Sequence, residues 1–348
     1  WHQRRRESKV GAIRQLFTGF TASHYRCLPE ISMRTHCLGK TDITVSELCF
    51  GTLVMGPLQA NLSIREGCDL LAFAFELGIN FFDTAEIYRS YPYFYPLPPS
   101  LKHRMVITSK SYAYTYQGMM ESIENGLKEI GRDYFDIFML HEQESILTLK
   151  GHHDAFLAME KAKEQGKIRA LGVSTHSVQM TKDLLLHPEM EVVFPLFNRV
   201  GQGLLHGSFE EMDSAIQQLF RSGFGLYTMK PLAGGRLYRS FLEELTYMRD
   251  YPFKHAVAVG VKNKNEIQVD AAIFENRFET SMIEMLQLKE KKIFYRSELC
   301  AFCYTCVQTC SSGVISKLEN GSLCFDWDRC CCCGYCIASC PQFALRVL

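Results

Sequence analysis

The chain has 348 residues, of which 47% are hydrophobic and 22% charged, and its formal net charge is zero. That is the composition of a globular protein of about two domains. The charge balance gives no general attraction to nucleic acid or to an anionic membrane, and no apolar run approaches the ~18 residues that span a bilayer, so the chain reads as soluble.

Residues 1–32 differ in character from the rest of the chain. "WHQRRRESK" is basic and non-periodic, and the first recognisable segment opens at Met33. We expect an upstream extension outside the fold. A transit peptide fits less well, because Glu7 and Glu30 dilute the acid-poor signature of such segments.

From about 45 to 275, short apolar runs alternate with amphipathic stretches. The strand candidates are "ELCFGT", "INFFDTA", "MVITSK", "DIFMLH", "RALGVST", "VVFPLFN", "GLYTMK" and "AVAVGVK". They are continuous rather than alternating, as strands buried on both faces are. Helical periodicity fills the gaps. "REGCDLLAFAFELG" stops at Gly78. "GMMESIENGLKEIG" spaces Met120, Ile123, Leu127 and Ile130 three to four apart and stops at Gly131. "DAFLAMEKAKEQG", "VQMTKDLLLH", "SFEEMDSAIQQLFRSG", "YRSFLEELTYMRD" and "NEIQVDAAIFEN" complete the series. Eight strand–helix units predict an α/β fold, a (β/α)8 TIM barrel over residues 33–280. A doubly wound open sheet would carry a GxGxxG after an early strand, and the sequence has none there. "YPYFYPLPPS" puts four prolines where the second helix belongs, so that helix is expected to be truncated or irregular.

The last stretch has another character. Eleven of the fifteen cysteines lie between Cys300 and Cys340. Cys300, Cys303, Cys306 and Cys310 read C-x2-C-x2-C-x3-C, and Cys330, Cys333, Cys336 and Cys340 repeat it, followed by Pro341. Only this choice from the run Cys330–Cys333 gives that spacing, which leaves Cys331 and Cys332 as bystanders. Three thiolates at x2 intervals wrap one corner of a four-iron cubane, and in two-cluster ferredoxins the fourth cysteine of each run serves the other cluster. The spacing therefore predicts a small ferredoxin-like domain over 299–348 with two [4Fe–4S] clusters. One would rest on Cys300, Cys303, Cys306 and Cys340, the other on Cys330, Cys333, Cys336 and Cys310. Zinc needs no third cysteine at x2, and disulfides suit a secreted chain rather than the cytoplasmic one expected here. Ser311 follows Cys310 where the pattern usually has proline. Cys27, Cys37, Cys49, Cys68 and Cys324 stand outside both runs. A linker over 281–298, charged and then aromatic, is expected to be partly helical and to dock on the barrel.

In such a barrel, chemistry sits at the C-terminal ends of the strands. Those ends offer Asp83 and Tyr88 after the second strand, Lys110 after the third and His141 after the fourth. With "GINFFDTAEIY", "VITSKS", "FMLH", "GKIRALGVST" and "KPLAGG", the sequence resembles the aldo-keto reductases over about 34–275. With the cysteine tail it resembles the members that carry a C-terminal two-cluster ferredoxin module. A carbonyl that accepts hydride develops negative charge on oxygen and needs a proton there. The resemblance implies Tyr88 as general acid, its pKa lowered by the Lys110 ammonium, with Asp83 holding the lysine and His141 orienting the carbonyl oxygen.

The same resemblance implies NADP(H) as cofactor, with Gly51, Thr52, Ser174, Thr175, Met229, Lys230, Lys262 and Asn263 against it. Ser174 would meet the carboxamide, with Thr175 where many relatives have Asn. Phe194 stands where Gln is common, and Met229 replaces a stacking aromatic. Lys262 and Lys264 would hold a 2′-phosphate at a helix N-terminus, but Glu266 stands where relatives often place Arg and Asp270 where they often place Asn. The expected partners are a small carbonyl substrate and a redox protein, with no nucleic acid and no membrane. Two alternatives stay open: a ferredoxin- or flavin-linked oxidoreductase, and a non-enzymatic electron carrier with a vestigial barrel.

Overall fold

The computed structural model describes residues 33–286, 293–310, 312–330, 333–342 and 344–347. The expectations for residues 1–32, and for Cys27, Cys331 and Cys332, lie outside these.

Eight parallel strands close into a barrel: β3 (Leu48–Gly51), β4 (Phe81–Asp83), β5 (Val106–Ser111), β6 (Phe135–Leu140), β7 (Ile168–Thr175), β8 (Val192–Pro195), β9 (Gly225–Met229) and β10 (Ala256–Gly260). Each pairs with its sequence neighbours, and β10 closes on β3 with Val257 opposite Leu48. All eight expected strands are present. Their side chains divide between two cores. Cys49, Phe81, Ile137, Met139, Phe194 and Tyr227 fill the barrel interior. Phe50, Phe82, Ile107 and Phe138 face outward against the helices. Burial on both faces is why these runs read as continuously apolar.

The helices begin where the side chains can satisfy orphan N–H groups. Ser63 and Glu66 form a capping box on helix Ile64–Glu76, and Ser208 and Glu211 form another on Phe209–Arg221; such caps each contribute about 1 kcal/mol. Gly131 ends helix Tyr116–Ile130 at φ 70°. The proline-rich stretch forms only a 3-10 turn at Tyr91–Tyr93 and a four-residue helix at Pro99–Lys102. Proline lacks the N–H a longer helix needs.

The N-terminal end of the barrel is closed by a hairpin, β1 (Thr35–Cys37) with β2 (Thr44–Ser46). Leu38, Ile43 and Val45 plug the interior from below. Gly39 turns this hairpin at φ 58°, and a Cβ there would lie 2.3 Å from the backbone nitrogen of Gly225. Neither the conformation nor the space admits a side chain.

Beyond the barrel, Phe278, Met282 and Leu286 pack against its outer core. Two small antiparallel pairs come next, β11 (Ile293–Tyr295) with β14 (Leu345–Val347), and β12 (Ile315–Lys317) with β13 (Leu323–Phe325). Between them lie two short helices, Thr305–Thr309 and Tyr335–Ala338, each carrying the third cysteine of its run. Among the described residues no helix is long and apolar enough to cross a membrane.

Candidate active site and cysteine-rich tail

The C-terminal ends of β4, β5 and β6 bring four expected side chains together. Lys110 donates to both carboxylate oxygens of Asp83, at 2.7 and 2.8 Å, and to the carbonyl oxygen of Thr84 at 2.8 Å. The hydroxyl of Tyr227, inside the barrel, donates to Asp83 at 2.9 Å. Thr52 supports this arrangement: its N–H binds the Asp83 carbonyl at 2.9 Å and its hydroxyl reaches Ser90 at 2.8 Å. Both members of the ion pair are buried. Burial pushes the carboxyl up and the ammonium down, and each partner's charge opposes that push.

Tyr88 and His141 face each other edge-on, with ring centroids 5.9 Å apart. One expectation fails here. The tyrosine is not acidified: burial, and then the Asp83 charge, hold its pKa well above the ordinary tyrosine value. The physical reason is geometric. The ammonium lies 5.0 Å over the Tyr88 ring and spends its hydrogen bonds on Asp83 and Thr84. His141 is held neutral, its pKa pushed well below 6.5 by burial and then by the charges of Lys110, His176 and Lys230.

Around His141 lies a polar network that inspection of strand ends misses. Tyr112 stacks on the imidazole at 4.2 Å and donates a short hydrogen bond to Glu142. Glu142 is 3.4 Å from His176, whose Nε2 is 2.9 Å from Lys230. Tyr112 and Glu142 each lie just past the end of a strand that is legible in the sequence, and that position is the signal that could have found them.

One cavity runs from Asp83 and Tyr88 past Phe194 and Met229 to Lys262, Glu266 and Asp270. Of the residues expected at the nucleotide, Gly51, Met229, Lys230 and Lys262 line it. Ser174 and Thr175 do not: the hydroxyl of Ser174 accepts from the N–H of Glu142 at 2.9 Å, and that of Thr175 from Ser177 at 2.9 Å. The Ser174 hydroxyl braces the segment after β6, and that of Thr175 braces the turn after its own strand. Asn263 caps the helix Lys264–Phe274, accepting from the N–H of Glu266 at 2.9 Å. Glu266 in turn accepts from the N–H of Lys262 at 2.9 Å and from the Asn263 amide at 3.1 Å. Its carboxylate thus covers the helix N-terminus where a phosphate would bind. Lys264 points away, over the ring of Phe73. Asp270, buried beside Glu266, has its pKa raised well above the carboxylate range by burial and then by that neighbour's charge.

In the tail, Cys300, Cys303, Cys306 and Cys340 border one small cavity together with Tyr295 and Leu345. These are three cysteines of the first run and the last of the second, the crossed set that the spacing predicts. N–H or O–H groups point at three of the sulfurs: Phe302 to Cys300 at 3.4 Å, Thr305 to Cys303 at 3.4 Å and Ala344 to Cys340 at 3.3 Å. Cys336 is pushed up to about 12 by burial and then by Cys310, Cys330 and Cys306. Among the described residues no group of three or more His, Cys, Asp or Glu side chains is gathered so as to hold a metal ion. Cys324 is exposed and outside both sets.

The tail is seated on the barrel mouth. Cys333 lines the same cavity as Asp83, Tyr88 and Met229. Tyr335 packs against Leu58, Ala85 and Tyr88.

A barrel whose strand ends gather these groups is the architecture of an oxidoreductase family, and the comparisons agree. The model of the aldo/keto reductase family matches residues 47–252, and the chain belongs to that family; it is an aldo-keto reductase-type oxidoreductase. It is 26% identical over 244 residues to the uncharacterized oxidoreductase YqkF of Bacillus subtilis (strain 168), covering 62% of this chain and 76% of that one. It is 24% identical over 222 residues to the L-galactose dehydrogenase of Arabidopsis thaliana, covering 60% and 68%. A solved structure from Pseudomonas aeruginosa, titled as an aldo-keto reductase, superposes with a TM-score of 0.61 at 25% identity, over 70% of this chain and 95% of that one. The holo form of a Bacillus halodurans aldo-keto reductase shares the fold, with a TM-score of 0.59 at 16% identity.

Proposed function

We propose that the barrel (residues 33–280) reduces a small aldehyde or ketone with a nicotinamide nucleotide, and that the tail (residues 299–348), joined by the linker 281–298, is a ferredoxin-like domain holding two [4Fe–4S] clusters. The gathering of Lys110 on Asp83 and of His141 on Tyr88, with Asp83 and Tyr88 lining the cavity, carries this reading. A nicotinamide nucleotide, when bound, would supply hydride for the carbonyl carbon; the Tyr88 hydroxyl would give its proton to the carbonyl oxygen as the π bond breaks, and solvent would restore that proton. Tyr88 suits the role because burial keeps it protonated until alkoxide develops. His141, neutral, presents Nε2 to the oxygen without placing a competing charge nearby. Lys110 and Asp83 fix the floor of the site.

At the far end of the cavity, Glu266 and Asp270 favour a ribose diol over a 2′-phosphate, because a phosphate would meet two carboxyl groups there. NADP(H), the cofactor typical of the family, stays the expected nucleotide, and these two carboxyl groups narrow its advantage over NAD(H). The clusters, when bound, supply one-electron transfer. Cys300, Cys303, Cys306 and Cys340 would hold one, and Cys310, Cys330, Cys333 and Cys336 the other.

Incubation of anaerobically prepared holoprotein with NADH or NADPH and a panel of aldehydes tests the reading. Nucleotide oxidation by wild type that disappears in Tyr88→Phe supports it; equal rates in the two proteins remove it.

A second reading has its own support. Cys333 lines the cavity beside Met229 and Tyr88, so whatever occupies the cavity touches a cysteine of the second set. That contact suits a ferredoxin- or flavin-linked oxidoreductase, in which electrons pass between the cavity and the tail. Flavin absorbance in the purified protein would favour it. Family membership sets aside the non-enzymatic alternative.

A further inference from the structure

A carbonyl reduced beside Tyr88 and His141 must place its oxygen within hydrogen-bond reach of both. In the folded chain another oxygen already stands beside them. The hydroxyl of Tyr335 lies 3.4 Å from His141 Nε2, and its side chain packs on that of Tyr88. Its ring centroid is 6.4 Å from that of Tyr88 and 6.2 Å from that of His141. Tyr335 is buried, and it comes from the far end of the sequence, two residues after Cys333.

The chain is built to put it there. Gly334 adopts φ 83°, and a Cβ at that position would lie 3.1 Å from the carbonyl oxygen of Leu58. Only glycine lets the tail come this close to the loop after β3. Gln59, in the same loop, donates to the carbonyl of Cys333 at 3.4 Å. Gln202, after β8, donates to that of Asp328 at 2.8 Å. Arg236, after β9, donates a short hydrogen bond to that of Cys330. Three loops at the barrel mouth thus hold the segment that delivers the phenol.

We propose that Tyr335 is a built-in occupant of the carbonyl-oxygen position, so that docking of helix Tyr335–Ala338 and binding of a carbonyl substrate exclude each other. The proposal rests on the carbonyl-reductase reading of the barrel. It makes Tyr335 the residue that decides when a carbonyl can enter. Gly51, Met229 and Lys262 line the cavity, whereas Tyr335 is not part of its wall. Nucleotide affinity is therefore expected to depend little on Tyr335.

The test compares full-length, anaerobically prepared wild type with Tyr335→Ala and Tyr335→Phe, all with nucleotide present. Butyrate, whose carboxylate accepts the same two hydrogen bonds, is titrated by calorimetry, and butyraldehyde reduction is measured alongside. Tyr335→Ala is expected to bind butyrate about tenfold tighter or better, since apparent affinity scales with the open fraction, and to reduce butyraldehyde correspondingly faster. Nucleotide affinity stays unchanged, and adding Tyr88→Phe abolishes the turnover. Tyr335→Phe, which keeps the ring but drops the hydroxyl, shows a smaller gain in both and decides the matter if the alanine variant does not fold. Equal butyrate affinity in all three proteins overturns the proposal. So does slower butyraldehyde reduction in Tyr335→Phe at unchanged butyrate affinity, which would make Tyr335 part of the working machinery. Tighter butyrate binding without aldehyde turnover in any protein keeps Tyr335 as the occupant and removes the reductase reading instead.

Discussion

Lys110 sits 5.0 Å above the ring of Tyr88 and directs its hydrogen bonds to Asp83 and Thr84. The ammonium therefore organises the floor of the site without acidifying the phenol, and the phenol holds its proton across the physiological range. Aldehyde reduction should then show no alkaline limb from Tyr88 below about pH 9. A wild-type kcat/KM profile that falls with a midpoint near neutrality would contradict this account.

The same pair makes a stability prediction. Replacing Lys110 by Met leaves Asp83 buried, still bonded to Tyr227 but without its counter-ion. Breaking one side of a buried ion pair costs about 3–5 kcal/mol. Thermal unfolding should show a large drop for Lys110→Met and a smaller one for the double variant Lys110→Met/Asp83→Asn, because the second change removes the stranded charge.

Glu266 closes the helix N-terminus at the nucleotide end. Glu266→Gln removes the charge and keeps the shape. Affinity for NADPH should rise on the order of tenfold while that for NADH changes little, since only the phosphate meets the lost carboxylate. Fluorescence titration of both nucleotides reads this directly, and a parallel change in the two would show that Glu266 does not sense the phosphate.

The crossed thiol sets predict that the two runs cannot be emptied independently. If the tail holds the two proposed clusters, Cys340→Ala should deplete the one assigned to Cys300, Cys303 and Cys306, although Cys340 belongs to the other run. Cys310→Ala should deplete the set of Cys330, Cys333 and Cys336. Iron analysis with electron paramagnetic resonance distinguishes the two sites, and Cys324→Ala is the control expected to retain both. Loss confined to the run that carries the substitution would mean uncrossed ligation.

The barrel floor should respond to acid. His255 Nε2 accepts the N–H of Gly39 at 3.2 Å and its Nδ1 lies 3.2 Å from the carbonyl of Leu226. Burial lowers its pKa from 6.5 to about 4. The neutral ring is the folded form, so its contribution is full above pH 6.5 and is lost as pH falls through about 4. That contribution is on the order of 3 kcal/mol. Hydrogen exchange at Gly39 should accelerate over this window, and His255→Gln, which can still accept but does not titrate, should flatten the response.

Much of this is legible in the sequence, for identifiable reasons. The eight strands are buried on both faces, so their apolar runs are unbroken, and a glycine at Gly78 or Gly131 marks where a helix stops. Asp83, Tyr88, Lys110 and His141 can be read because each lies at or just past the end of a strand whose position is fixed. What escapes is non-local. Nothing near Tyr335 reveals that it meets Tyr88, because the contact depends on how the tail seats on the loops after β3, β8 and β9. The acidity of Tyr88 is hidden because residue types cannot say which neighbour an ammonium will bind. Ser174 and Thr175 are assigned to the nucleotide by resemblance, and their hydroxyls are engaged by backbone N–H groups that sequence alone does not disclose.

The barrel holds its tail by the main chain. Gln59, Gln202 and Arg236 each grasp a carbonyl oxygen, at Cys333, Asp328 and Cys330. Such a grip is indifferent to side-chain identity at the residues it holds. Asp328 can be exchanged for most other residues without loosening the assembly, whereas a proline that redirects the chain at that point would unseat it. The attachment is encoded on the barrel's side of the contact, and a different module with the same backbone path could be accepted in its place.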